Sequence, residues 1–204
     1  MANTWVPAGK VRFMVKDSTF KKINCFYIEG KGKTYKNYDW FFKVRDKYAS
    51  FVSKESLKPT HFVRRVREGN FSLNYDYSFD YKNKKAVVIE KKNDVDSKET
   101  INISSCAYDL MTSVYFARAI DFNKYKIGDT IPIDIVLDKK VYEGVNIIYD
   151  GKEIIKTQHN KKINCINFKI DLIEGTIFKG DEKMSVFVTD DENKVPVYIE
   201  AEIL

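Results

Sequence analysis

"FSLNYDYSFDYK", Phe71 to Lys82, alternates without interruption. Phe71, Leu73, Tyr75, Tyr77, Phe79 and Tyr81 fall on one side, and Ser72, Asn74, Asp76, Ser78, Asp80 and Lys82 on the other. Successive side chains of a strand point to opposite faces, so the stretch reads as a strand with one aromatic and one polar face. At its usual rise it spans roughly 40 Å, and a sheet holding so long a strand must twist. Its five aromatic rings can remove on the order of 1,000 Å² from water, roughly 25 kcal/mol as an upper bound. Unpaired tyrosine hydroxyls would cost only about 1–3 kcal/mol each. Something therefore covers this face: a helix, the opposite side of a curled sheet, or a ligand. A plain core and a partly polar ligand wall formed by Tyr75, Tyr77 and Phe79 both satisfy the pattern.

The same period recurs along the chain. "KVRFMVKD" places Val11, Phe13 and Val15 on one face, "TIPIDIVLD" does so for Ile131, Ile133, Ile135 and Leu137, and "VPVYIEAEI" for Val195, Val197, Ile199, Ala201 and Ile203. Turn signals at "YKNKKAV" around Asn83, "YDGKE" around Asp150-Gly151 and "TDDENKVP" at 189–196 read as hairpin connections. "KKINC" occurs twice, at 21–25 and 161–165, each time after a polar turn and at the opening of a strand. One segment breaks the alternation. In "SSCAYDLMTSVYFARAIDF", Leu110, Met111, Val114, Ala117 and Arg118 recur at helical spacing. This predicts a helix over 107–120, capped by Ser104 or Ser105, with its apolar stripe on the sheet. "NYDWFF" at 37–42 predicts a shorter helical turn, and the polar "KKNDVDSKET" at 91–100 a mobile loop. The expected fold is mainly β: a strongly curved antiparallel sheet or incomplete β-barrel, with one main helix packed on the concave side. A chain of 204 residues suits a single domain over 1–204.

With 44% hydrophobic and 31% charged residues the composition is that of a globular protein. No apolar run approaches the roughly 20 residues of a membrane helix, so a membrane-spanning chain is not expected. "MANTWVPAG" has neither the basic end nor the apolar core of a secretory leader. The net charge of +6 is uneven: residues 1–102 carry 22 Lys+Arg against 12 Asp+Glu, or +10, and the remainder −4. That balance admits either a basic face for an anionic partner or ordinary solvated strand faces. Cys25, Cys106 and Cys165 lack CxxC spacing, which excludes a disulfide framework and the usual zinc patterns. A Cys25–Cys165 bridge is the pairing to test, against two free buried thiols. GxSxG, HExxH, P-loop and GxGxxG signatures are missing, so no enzyme, no cofactor, no metal and no catalytic residue are expected. Nucleic-acid binding is not expected either, for want of a recognised module.

"NYDWFFKVRDKYASFVSKESLKPTHFVRRVREG" (37–69), "YDLMTSVYFARAIDF" (108–122), "GDTIPIDIVLD" (128–138) and "VFVTDDENKVPVYIEAEI" (186–203) together resemble domain-of-unknown-function family 3108, in order and over nearly the whole chain. Members are exported proteins of Gram-negative bacteria. The resemblance therefore implies a periplasmic or cell-envelope location, with a leader and a further strand before the equivalent of Trp5. The C-terminal hairpin around "DDENK" looks, more loosely, like that of LolA/LolB-type lipoprotein carriers. Those fold as an incomplete barrel around an apolar cavity, and this likeness reaches the fold alone.

Several side chains stand in places that ask for a partner. Trp40, Phe41 and Phe42 beside Arg45 and Asp46 form either an apolar lip with a cation or a plug at one end of the sheet. Arg64 lies between Phe62 and Val66 on one strand face, and Arg118 falls on the apolar stripe of the helix. Each is either paired internally, with Asp46, Asp109 or Asp134, or turned toward an anionic ligand head. The expected ligand site, for a lipid or other amphipathic molecule, is then Trp40, Tyr75, Tyr77, Phe79 and Tyr115 as wall and Arg45, Arg64 and Arg118 as head contacts. The alternative is a structural or interaction protein of the envelope with a filled core.

Overall fold

The computed structural model describes residues 9–92, 95–157, 160–171 and 183–200. Its fold is mainly β, as the alternation requires, and it divides into two compact units. The first comprises residues up to Thr112 together with Val136–Lys140, and the second Ser113–Ile135 with Val141 onward.

In the first unit, seven strands follow one another as an antiparallel meander: β1 (Gly9–Phe20), β2 (Ile23–Thr34), β3 (Arg45–Ser53), β4 (Pro59–Glu68), β5 (Phe71–Asp80), β6 (Lys85–Lys92) and β7 (Val95–Asn102). Short hairpins set this order, since adjacent strands joined by tight turns can only pair antiparallel. Lys21 and Lys22 both take positive φ (47° and 68°) in the β1–β2 turn, the left-handed geometry that matches strand twist. The opening stretch is β5, and its burial alternates as its composition does: Leu73, Tyr75 and Tyr77 are buried, and Asn74, Asp76 and Ser78 are part-exposed. Phe62 on β4 and Val88 on β6 are the cross-strand neighbours of Tyr77, and both are buried.

Two expectations are corrected here. The polar segment 91–100 was expected as a loop, but β7 pairs with β6 in unbroken register from Asn102↔Lys85 to Val95↔Lys92. An edge strand needs a hydrogen-bonding neighbour on one side only, and charged side chains suit its exposed flank. Residues 93 and 94 of that segment lie outside the described residues. The helix α1 runs Leu110–Ala119, later than the expected 107–120, because Ala107–Asp109 is extended as β8. Its cap is Asp109, not Ser104 or Ser105: Oδ1 accepts from the N–H groups of Met111 (2.8 Å) and Thr112 (3.0 Å). Asp109 Oδ1 also accepts from Ser50 Oγ of β3 at 2.5 Å, which ties the start of the helix to the sheet face that carries Tyr77. Met111 follows onto the same face. Its Sδ lies 3.3 Å from where a Gly30 Cβ would stand, so a side chain at 30 would require Met111 to give by a few tenths of an ångström.

The second unit carries β9 (Thr130–Leu137) up to Ile135, β10 (Lys140–Lys156) from Val141, and β11 (Lys162–Asp171), β12 (Lys183–Thr189) and β13 (Pro196–Glu200), hydrogen-bonded in the order β13-β12-β11-β10-β9. Asp150-Gly151 is not the expected hairpin turn. β10 runs through it, and the register against β11 slips by one residue between Tyr149 and Gly151. Gly151 takes φ +97°, so the turn chemistry is used for a bulge inside one long strand. The core centres on Phe122, which stacks on Phe168 (centroids 5.4 Å, 15°) and leans on Tyr149 at 5.4 Å. Both "KKINC" copies open strands, β2 and β11, and place a fully buried cysteine third in one and fourth in the other. None of the three cysteines forms a disulfide, so the Cys25–Cys165 bridge is not made. Residues 201–203 of the last predicted strand lie outside the described residues.

Candidate functional site

The residues expected to form one ligand site divide between the two units, and within the first between its packed sheet face and one sheet end. Tyr75, Tyr77, Phe79 and Arg64 belong to the packed face of the first sheet. Tyr77 has no exposed surface, so no space large enough for a water molecule touches it. Burial drives the Tyr77 hydroxyl well above its usual range, opposed by a bond it accepts from Lys139 N (3.4 Å). Phe79 is half-buried in a ladder of near-parallel rings between Tyr77 and Tyr81. Arg64 pairs with Asp138, in the turn after Leu137, and its guanidinium lies over the Tyr48 ring at 5.7 Å. Its partner is thus none of Asp46, Asp109 or Asp134. Lys139 of the same turn pairs with Glu90 at 2.6 Å and sits over Tyr75.

Tyr115 and Arg118 stack on each other in the second unit, with the guanidinium carbon 4.9 Å from the ring centroid. Arg118 donates to the carbonyls of Asn193 (Nη2, 2.6 Å) and Lys194 (Nε, 3.1 Å), so it braces the β12–β13 turn. No acid pairs with it among the described residues, so the internal ion pair, one of the two accounts expected for it, is not formed there. Carbonyl oxygens explain why a cation is tolerated on that helix face.

Trp40 and Arg45 come together at one end of the first sheet, where the β2–β3 connection makes a tight turn. Phe41 and Phe42 both donate their N–H to Tyr38 O at 3.0 Å, one helical turn as predicted. Arg45 grips Asp39 with two nitrogens, at 3.0 and 2.5 Å, and Thr34 Oγ1 donates to the same carboxylate at 2.6 Å. These bonds hold the Asp39 carboxyl below its usual range. The turn is therefore braced, yet Trp40 is 84% exposed and Phe41 79%. Phe42, 49% exposed, leans on Gly69 of the neighbouring β4–β5 turn.

Beside this turn lies an arrangement that sequence reasoning missed. Lys10, Lys33 and Arg45 belong to one cross-strand row of β1, β2 and β3. Arg12, Lys31 and Lys47 form the next row, two residues further along each strand. Alternation puts all six on one face, opposite the aromatic core. They line a cleft of about 430 Å³, completed by Gly32 and Asp46. Glu29 is bonded by Lys31 (2.7 Å) and Lys47 (3.3 Å) and also accepts from the Tyr27 hydroxyl at 2.7 Å. Burial works against its charge, but these three donors win and hold its carboxyl at about 2. Burial and the same carboxylate push Tyr27 up to about 12. Lys10, Arg12 and Lys33 have no acidic partner among the described residues. Like charges directly opposite each other destabilise a sheet. The signal in the sequence is three cation-x-cation triplets, Lys10-Val11-Arg12, Lys31-Gly32-Lys33 and Arg45-Asp46-Lys47, one per strand.

A second polar cluster shares that face. His61 stands 3.5 Å from both Ser78 Oγ and Asp76, and its ring stacks on Phe20. Asp76 is also bound by Arg65 at 2.6 Å, an ion-pair arrangement that leaves the carboxylate divided between two partners. Among the described residues no three His, Cys, Asp or Glu side chains gather to hold a metal ion, and no helix is long and apolar enough to cross a membrane.

No curated protein matches the chain. Among solved structures it is similar to the crystal structure of a β-barrel-like protein of domain of unknown function DUF1849 from Brucella abortus. Identity is 8% and the TM-score 0.60, with 95% of this chain and 81% of that one covered, so the likeness carries the fold and nothing beyond it. The mainly β, antiparallel architecture is thus shared with a solved β-barrel-like structure. The family described as "Protein of unknown function (DUF3108)" matches residues 1–204, and the chain belongs to it.

Proposed function

We propose that this protein is a non-enzymatic, exported protein of the cell envelope that binds a phosphate-bearing amphipathic ligand on the basic face of its first sheet. The observation that carries this reading is the double row of six cations over β1–β3, three of them without an acidic partner among the described residues. Such an array costs stability unless something anionic neutralises it. The cleft floor consists largely of lysine and arginine stems, apolar along their length and charged at the tip, which suits a molecule with an acyl part and an anionic head. The envelope location rests on the resemblance to exported proteins. The aromatic face of β5 is packed closed at Leu73, Tyr75 and Tyr77, which supports moving the ligand from that face to the opposite one. The same filled core favours the second reading, a structural or interaction protein, with the basic face turned to an acidic partner.

Titration with monomeric dihexanoyl phosphatidylglycerol, whose headgroup is net anionic, against dihexanoyl phosphatidylcholine, whose phosphate is neutralised by its own choline, tests the proposal. The glycerol lipid should bind and the choline lipid should not. Lys10→Glu with Lys33→Glu should weaken binding by ~10-fold or more, since charge-assisted contacts dominate such sites. Equal affinity for both lipids, or an unaffected double variant, would remove the proposal.

A further inference from the structure

The turn from Tyr35 to Phe42 presents a feature that a binding cleft by itself leaves unexplained. Two of the largest apolar side chains in the protein, Trp40 and Phe41, stand almost fully in water on a braced support. Exposed aromatic clusters of this kind mark a contact surface. The Asp39–Arg45 clamp and the Thr34 bond hold the turn in shape, so the exposure is built in and not the fraying of a loose loop. Phe42 and Phe71, each about half exposed, border the same end of the sheet.

Cations flank this tip in the connection and at the neighbouring strand ends. Lys36 and Lys43 flank the aromatics within the connection, and both are exposed. Lys33 and Arg45 sit where β2 ends and β3 begins, and Lys10 pairs across from Lys33. An exposed apolar tip bordered by lysines is complementary to a surface that is negative outside and apolar just beneath. We infer that the Trp40–Phe41 tip is a wedge that docks the protein on an anionic lipid bilayer, with Lys10, Lys33, Lys36 and Lys43 on the headgroups. Tryptophan favours the headgroup boundary, where its ring is buried and its N–H stays wet. Basic side chains around it add attraction to anionic lipid.

The geometry disfavours other polyanions. Trp40 and Phe41 meet edge to face, 68° between planes and 6.0 Å apart, so they offer no pair of parallel platforms for a nucleobase. A projecting tip also lacks the groove in which a peptide segment would lie. The inference rests on the phosphate-bearing amphiphile as ligand and adds that the ligand is met as a membrane surface.

The test uses the full chain with Trp5→Phe, which leaves Trp40 as its sole tryptophan. Vesicles of phosphatidylglycerol with phosphatidylcholine are compared with pure phosphatidylcholine by co-sedimentation and by Trp40 emission. Binding to the anionic vesicles with a blue shift of Trp40 is expected, and ~10-fold less binding after Phe41→Ala. Trp40→Ala with Phe41→Ala in the otherwise native chain should abolish sedimentation while leaving the uptake of monomeric dihexanoyl phosphatidylglycerol unchanged. Both side chains are exposed, so circular dichroism and the melting temperature should match the parent. Vesicle binding without a blue shift, or undiminished in the double variant, would overturn the wedge. Preferential capture of an oligonucleotide or acidic peptide over vesicles would do the same. If the monomeric lipid binds and the vesicles do not, the wedge alone falls; if neither binds, the basic-face reading falls with it.

Discussion

Asp109 shows how much one residue can organise. It has no exposed surface, yet its two oxygens accept four bonds, from Ser50 Oγ, Met111 N, Thr112 N and Thr112 Oγ1. Burial pushes its carboxyl above the usual range, against the pull of those donors. A raised value means that the folded state holds the proton more tightly than the unfolded chain. Its contribution is therefore complete at low pH and is lost as pH rises through the folded value. Asp109→Ala removes the helix cap, about 1 kcal/mol, and strands the buried Ser50 hydroxyl, about 1–3 kcal/mol. Urea unfolding should show a total loss of roughly 2–4 kcal/mol. Asp109→Asn keeps an accepting oxygen, so it should cost less and flatten the decline of stability with pH. The helix pattern itself could be read locally. The cap could not, because three residues of strand intervene between the serines and the first helical turn.

On the scale of elements, β5 carried its own reading. Alternation of ring and polar group is a property of neighbouring residues, and the structure preserves it from Leu73 to Tyr77. Tyr77→Ala should cost about 3–5 kcal/mol, the range for removing a large buried ring. Tyr77→Phe gives up only a long bond from Lys139 N and should cost under about 1 kcal/mol. Chemical denaturation of the two variants checks the pair; near-equal losses would mean that the hydroxyl, not the ring, holds the face. Two elements were illegible for physical reasons. β7 is polar on both faces, and only its pairing with β6 makes it a strand. Asp150-Gly151 has the chemistry of a turn, but the bonds that β10 makes to β11 on both sides of it carry the strand through.

For the whole molecule the uneven charge has consequences in acid. The chain carries +6 at neutral pH, and the basic face of the first sheet relies on Glu29 to hold Lys31 and Lys47. Glu29 is depressed from the ordinary carboxylate value to about 2 when folded. A depressed group contributes stability that is present above the unfolded value and lost as pH falls through the folded one. Stability should therefore drop between about pH 4.5 and 2, and protonation should leave the two lysines facing each other's charge. Glu29→Gln should be less stable at neutral pH and nearly insensitive across that window, as thermal melts over a pH series would record. A parent protein whose melting temperature stays level from pH 5 to 2.5 would remove this account of the array.

The chain by itself determined the class of fold: long antiparallel strands, short hairpins and one helix, all written in periods of two and of 3.6 that depend on nearest neighbours. It also contained the three cation triplets, but as separate pairs of charges far apart in sequence. Only the tertiary structure aligned them into two rows, gave Arg64 its Asp138, and set Arg118 on backbone carbonyls. Those outcomes depend on register and on turns many residues away, and a charge on a strand carries no mark of the neighbour it will meet.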